Sequence, residues 1–138
     1  MWLLDTVALS EAAKPRANAG YLSWLETISS DDIHTSVLCL GEIRRGVEML
    51  AAGKKRDVLT VWLERDLPAW LGDRILPVDI DVAQTWGRLG ARGKVSPIDA
   101  LIGGTAANAG LTVVTRNARD FDGLGVPVLN PWVQVGGA

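Results

Sequence analysis

Apolar positions along this chain follow two alternating periods. Short runs at residues 1–5 (MWLLD), 74–78 (RILPV), 111–115 (LTVVT) and 126–129 (VPVL) have the length and bulk of buried strands, and His34-Thr35 reads as a brief further one. Between them the spacing becomes helical. Residues 6–15 predict a short helix that stops near Pro15, and Tyr21, Leu22, Leu25 and Ile28 mark a second, with Asn18 as its N-cap. Ser36 is placed to cap a long helix through Leu50. Its core stripe is Ser36, Leu40, Ile43, Val47 and Leu50, and its solvated face is Arg44, Arg45 and Glu48. A solvated GKKR turn (53–56) leads into a helix with Val58, Val61, Trp62 and Leu63, which Pro68 interrupts. Asp79 or Asp81 caps a helix to Arg92. Ser96, with Pro97 at the first helical position, caps another that runs to Gly110. Strands alternating with helices predict an α/β fold, a small parallel sheet flanked by helices in three α/β/α layers. Ligands of such sheets bind beyond the carboxyl ends of the strands.

Composition narrows the class. With 138 residues, 48% hydrophobic and 22% charged, the chain reads as one domain spanning 1–138, without repeats or a long linker. A single cysteine, Cys39, cannot form an intramolecular disulfide, and it makes no zinc set with His34, a strand residue near the surface. The N-terminus lacks a basic region, and no apolar run approaches the roughly 18 residues of a membrane span. A soluble, cytoplasmic protein with no membrane partner is expected. Net charge −2 sets a condition: a polyanionic substrate would have to be met by local arginines and a bound cation. Tryptophans at 2, 24, 62, 70, 86 and 132 read as core filling, with Trp24 and Trp62 as alternatives for a protein interface.

Four acids stand out against this frame. Asp5 and Asp120 follow the strands at 1–5 and 111–115, Asp99 opens a helix, and Glu42 lies inside one. Each has an ordinary explanation. Asp5 would serve as a helix N-cap, Asp99 as the far half of a capping box with Ser96, and Asp120 as a turn residue. Glu42 resists this, because the helical wheel puts it on a flank with Leu38, Cys39 and Met49, away from Arg45. Glu11, Glu26, Glu48, Asp57, Glu64, Asp66 and Asp73 read as solvated faces, and Asp81 as a cap before a ligand. If the helices return the four acids to one sheet edge, they repel. Two charges about 4 Å apart cost roughly 4 kcal/mol at an effective dielectric near 20. Protonation or a hard divalent cation, Mg²⁺ or Mn²⁺, relieves that cost.

Together LLDT, TSVLCLGEIRRGVEML, SPIDALIGGTAANAGLTVVTRNARDF and the late PVLNPW resemble the PIN-domain ribonucleases, in particular the VapC and FitB type toxins of prokaryotic toxin–antitoxin pairs. The resemblance implies a metal-dependent endoribonuclease in which Asp5, Glu42, Asp99 and Asp120 hold Mg²⁺ or Mn²⁺. Thr6, Thr115 and Asn117 match the supporting polar positions. Arg116 and Arg119, beside the cluster, are candidates for gripping RNA phosphates, with solvent exposure as their plain alternative. The resemblance also implies a cognate antitoxin and a homodimer, with the 21–28 and 58–70 helices as candidate surfaces for both. One residue departs from the pattern: Val7 stands where asparagine is usual after LLDT. An inactive binding module is therefore one alternative. A Mg²⁺-binding phosphoacceptor domain is another, although the first strand offers one acid and the last lysine, Lys94, precedes the final strands.

Overall fold

A computed structural model describes residues 1–92 and 95–133. Lys94 therefore lies outside the described residues. Five strands form one parallel sheet, in the order β3 (Ile75–Leu76), β2 (Ile33–Ser36), β1 (Trp2–Leu4), β4 (Thr112–Val114), β5 (Val128–Leu129). Leu3 and Leu4 project to opposite sides of β1, yet both are fully buried, as are Val113 and Val114 of β4. Both faces of the sheet are thus covered, as parallel sheets require.

The helices are α1 (Thr6–Glu11), α2 (Ala19–Glu26), α3 (Val37–Glu48), α4 (Lys54–Val61), α5 (Leu67–Leu71), α6 (Ile80–Gly90) and α7 (Pro97–Ala109). The caps stand where the sequence places them. Asn18, Ser36, Asp79 and Ser96 each accept a backbone N–H from the first turn of the helix they begin, so Asp79, and not Asp81, caps α6. Gly110 closes α7 in the left-handed conformation that glycine adopts without strain.

Several boundaries differ from expectation. The first helix ends at Glu11 and not at 15, because Ala12, Ala13 and Lys14 tighten to three-residue hydrogen bonds before Pro15. Lys54, Lys55 and Arg56 belong to the first turn of α4, with only Gly53 outside it. Pro68 does not end its helix. A π-turn at Trp62–Asp66 joins α4 to α5, and Pro68 sits in the first turn of α5, where its missing N–H costs least. The long helix stops at Glu48, α6 at Gly90, and the outer strands are shorter than their apolar runs.

The chain order positions the site. From β1 it moves outward to β2 and β3, then crosses back to β4 and β5 on the other side. The switch point therefore lies between the carboxyl ends of β1 and β4, where open α/β sheets leave a crevice.

Candidate active site

Asp5 follows β1 directly at that switch point. Its backbone N–H donates to Val114 at the end of β4 (3.0 Å), and its Oδ1 accepts from Ala8 N (2.9 Å), so it does cap α1. Capping does not exhaust its chemistry. The residue is only 7% exposed, and burial pushes its carboxyl up from an ordinary 3.8 to about 6. The negative charges of Asp99 and Glu42 push the same way, while the Thr115 hydroxyl and the Ala8 N–H oppose them.

The other acids come in on separate elements. Thr6, the first residue of α1, donates its hydroxyl to Glu42 Oε1 on α3. Glu42 is exposed, and of the apolar residues the helical wheel puts beside it Met49 is itself 76% exposed, whereas Cys39 is buried. Asp99, half-buried at the start of α7, takes the Ser96 hydroxyl on Oδ2 (2.8 Å) and returns its N–H to that oxygen (3.2 Å). Burial raises its pKa, and the charges of Asp120 and Glu42 add to the rise. Asp120 is exposed on a 3₁₀ turn, Ala118–Phe121, that follows β4. Thr115, fully buried, accepts from Asn117 N (3.0 Å), whereas the Asn117 side chain makes no capping bond to the turn. Arg116 and Arg119 are both exposed.

The fold thus brings acids from four elements together around Asp99, which feels the charges of Asp120 and Glu42, while Asp5 feels those of Asp99 and Glu42. Among the described residues, no three acids, histidines or cysteines form a ready-made metal cage. The donors nevertheless suit a hard cation. All are carboxylate oxygens, and two of them are raised in pKa by burial and by like charges. Mg²⁺ and Mn²⁺ accept such oxygens, and Mg²⁺ usually keeps several waters, so an open arrangement fits. Cys39 is not a donor: it is buried, its thiol is pushed up to about 11 by burial, and its sulfur faces the Leu4 carbonyl. His34 is half-buried, with Nδ1 3.1 Å from the Asp32 carbonyl oxygen.

Three features escaped the sequence. Glu11, read as solvated, is 4% exposed, because its carboxylate closes the loop after α1 by accepting from Asn18 N (2.7 Å) and pairing with Lys14 (2.9 Å). Gly103 lets the turn bearing Asp120 approach α7: a β-carbon there would meet a Leu124 methyl at 2.7 Å. Asn130 ties the chain after β5 to the Arg116 carbonyl (3.2 Å). The Glu11 contact spans a loop, and Gly103 and Asn130 act between elements. A hint lay in the close packing of glycines in IGGTAA and in the NPW segment.

Residues 2–126 match the PIN domain family. The chain is a PIN-domain protein. Over 96% of its length this PIN domain is 35% identical to Toxin FitB of Neisseria gonorrhoeae, covering 99% of that protein. Over the same share it is 31% identical to the VapC ribonuclease Y4jK of Sinorhizobium fredii, covering 98% of it. Among solved structures, FitAB bound to a DNA fragment aligns at a TM-score of 0.88 with 32% identity, covering 98% of each chain. The phosphoacceptor alternative falls here. Flavodoxin-like sheets of that kind run 2-1-3-4-5, and this one runs 3-2-1-4-5.

Proposed function

We propose that this PIN domain is the ribonuclease toxin of a toxin–antitoxin pair, cleaving RNA internally with Mg²⁺ or Mn²⁺. The observation that carries the reading is Asp5. A capping aspartate needs no further partner, but this one is buried at the mouth of the sheet, where burial first, and then the charges of Asp99 and Glu42, push its pKa up to about 6. Asp5, Glu42, Asp99 and Asp120 would hold the ion, some through water. A bound Mg²⁺ or Mn²⁺ supplies charge neutralisation and Lewis acidity towards the scissile phosphate. Thr6 fixes the carboxylate of Glu42, and the Thr115 hydroxyl steadies Asp5. Asp99 or Asp120 orients the attacking water and takes its proton as the P–O bond to the leaving oxygen breaks. Arg116 and Arg119, both exposed, would meet neighbouring phosphates, which answers the net charge of −2. A reducing cytoplasm, where Cys39 stays a thiol, suits both the chain and its substrate.

A cognate antitoxin belongs to the same reading. A cleft of about 710 Å³ runs from Thr6 and Glu42 along Ile43, Val47, Val58 and Trp62. It favours the 58–70 helix over the 21–28 helix as the antitoxin surface, since Val58, Leu59 and Trp62 line it and no residue of 21–28 does. The homodimer is also part of this proposal, and sedimentation of the antitoxin-free protein tests it. No helix of the described residues is long and apolar enough to cross a membrane.

Val7, 36% exposed beside Asp5, supports the alternative of an inactive binding module, because a polar neighbour of the site is lost there. One experiment separates the two. Antitoxin-free protein is incubated with total RNA and Mn²⁺ or Mg²⁺, and new ends are mapped beside chelator and Asp99→Asn controls. Discrete ends that vanish in both controls are expected. A folded, Mn²⁺-binding protein that yields no new ends would establish the binding module instead.

A further inference from the structure

The PVLNPW segment has no role in the chemistry above, yet its contacts reach both halves of the site. β5 is only two residues long, and it pairs with β4 through Val113–Val128 and Val114–Leu129. Beyond it, Thr115 N donates to Leu129 O (3.0 Å). The Asn130 carboxamide then works in two directions. Its Oδ1 accepts from Trp132 N (2.9 Å), closing a turn over the buried Pro131, and its Nδ2 donates to the Arg116 carbonyl (3.2 Å).

The second bond matters because the loop it reaches is otherwise self-contained. The remaining hydrogen bonds of residues 116–120 run within the loop or to its own flanks: Asn117 N to Thr115 Oγ1, Asp120 N to Asn117 O, and Asp122 N to Arg119 O. Among the described residues, Asn130 supplies the side-chain hydrogen bond from elsewhere in the fold to the segment carrying Arg116, Asn117, Arg119 and Asp120, alongside the attraction between the Arg116 and Glu11 charges. Trp132, meanwhile, reaches the other half. Its ring lies 5.1 Å from that of Tyr21, whose hydroxyl donates to Ala8 O (2.7 Å). Ala8 N in turn holds Asp5 Oδ1 (2.9 Å). Direct contacts therefore run from Asp5 through Ala8, Tyr21 and Trp132 to Asn130, and from Asn130 to the loop of Asp120.

We propose that Asn130-Pro131-Trp132 is a positioning clip that sets the spacing between the Asp5 carboxylate and the loop bearing Asp120, and so the affinity of the site for its cation. The clip rests on the metal reading above. Neither Asn130 nor Trp132 touches the reacting atoms; both act through the groups they hold. Supporting partners of this kind change metal affinity about 10- to 100-fold when removed.

The test is a Mn²⁺ titration followed by the electron paramagnetic resonance signal of free Mn²⁺, with no RNA present. Asn130→Ala removes both bonds. Asn130→Ser can keep the turn, through its hydroxyl and Trp132 N, while losing the reach to Arg116; it serves if the alanine variant does not fold. Each is expected to weaken Mn²⁺ binding about tenfold. Arg74→Lys is the control. Arg74 binds the carbonyls of Ser30, Ile33 and Trp70 beside the outer strand β3, far from β4 in the sheet order. It should lower the melting temperature and leave Mn²⁺ affinity unchanged. If parent-like Mn²⁺ binding persists in the Asn130 variants, or Arg74→Lys weakens it equally, the clip is overturned while the metal site stands. A parent protein that binds no Mn²⁺ overturns the metal site, and the clip falls with it.

Discussion

Helix α1 carries a buried carboxylate at each end, and the two have opposite fates. Asp5 sits at the N-terminus, where the helix dipole favours negative charge, yet its pKa is pushed up. Glu11 sits at the C-terminus, where the dipole opposes negative charge, yet its pKa is lowered. Burial is the largest influence on each and raises both; at Asp5 it prevails, and at Glu11 the partners outweigh it. Glu11 has Lys14, the Asn18 N–H and the charge of Arg116 working for it. Asp5 has the Thr115 hydroxyl and one N–H, set against burial and two like charges. A structural carboxylate is one whose needs are met within the fold; Asp5 is left short, and the shortfall is what a cation would supply.

Substituting each end should separate these roles. Asp5→Asn keeps a capping oxygen for Ala8 N, because asparagine caps as well as aspartate. RNA cleavage should fall at least about 100-fold, the upper end of what a lost supporting partner costs a metal site. In metal-free buffer at pH 7 the same variant should be more stable than the parent, by up to about 3 kcal/mol on the shift from 3.8 to about 6. Chemical denaturation measures this; unchanged stability would mean that Asp5 is merely a cap, and a less stable variant that its charge is satisfied within the fold. Glu11→Ala should do the reverse. It leaves the Asn18 N–H without its partner and lowers stability by about 1–3 kcal/mol, while cleavage by the folded fraction is unchanged.

Smaller effects sharpen the same contrast. Thr6→Val removes the hydroxyl that holds Glu42 and should reduce Mn²⁺ affinity or cleavage about tenfold; calorimetric titration tells which. Gly103→Ala overpacks against the buried Leu124 and should lower stability by about 1 kcal/mol without altering its dependence on pH. A change in that dependence would show that the turn bearing Asp120 transmits strain to Asp5.

The parts of this molecule that could be read in advance are those governed by neighbours in the chain. Ser36, Asn18, Asp79 and Ser96 cap as expected because a cap and its N–H lie two or three residues apart. The acids at the strand ends were visible because Asp5 directly follows its apolar run and Asp120 lies a few residues beyond the other. Glu11 was misread because its partner, Asn18 N, lies beyond a loop that spacing does not describe. The exposure of Glu42 was missed because the wheel places residues on a helix but not the helix on its neighbours. Pro68 looked like a terminator because periodicity does not foresee a π-turn. Asn130 and Gly103 act between elements, and their roles emerge only once β5 and the turn after β4 are in place.

The most direct measurement is the unfolding free energy of parent and Asp5→Asn from about pH 4.5 to 7.5, with and without Mn²⁺. Folded Asp5 holds its proton up to about 6 whereas the ordinary value is 3.8, so without metal the parent should lose stability as pH rises through that interval and then level off. Asp99, also raised, adds to the loss; Glu11, lowered from 4.5, costs stability only below this window. Mn²⁺ should restore the parent at pH 7, by about 2.7 kcal/mol at a hundredfold excess over Kd. Asp5→Asn should show a flatter pH profile and little response to the ion. A parent whose stability rises with pH and ignores Mn²⁺ would contradict the claim that these acids are gathered to hold a cation.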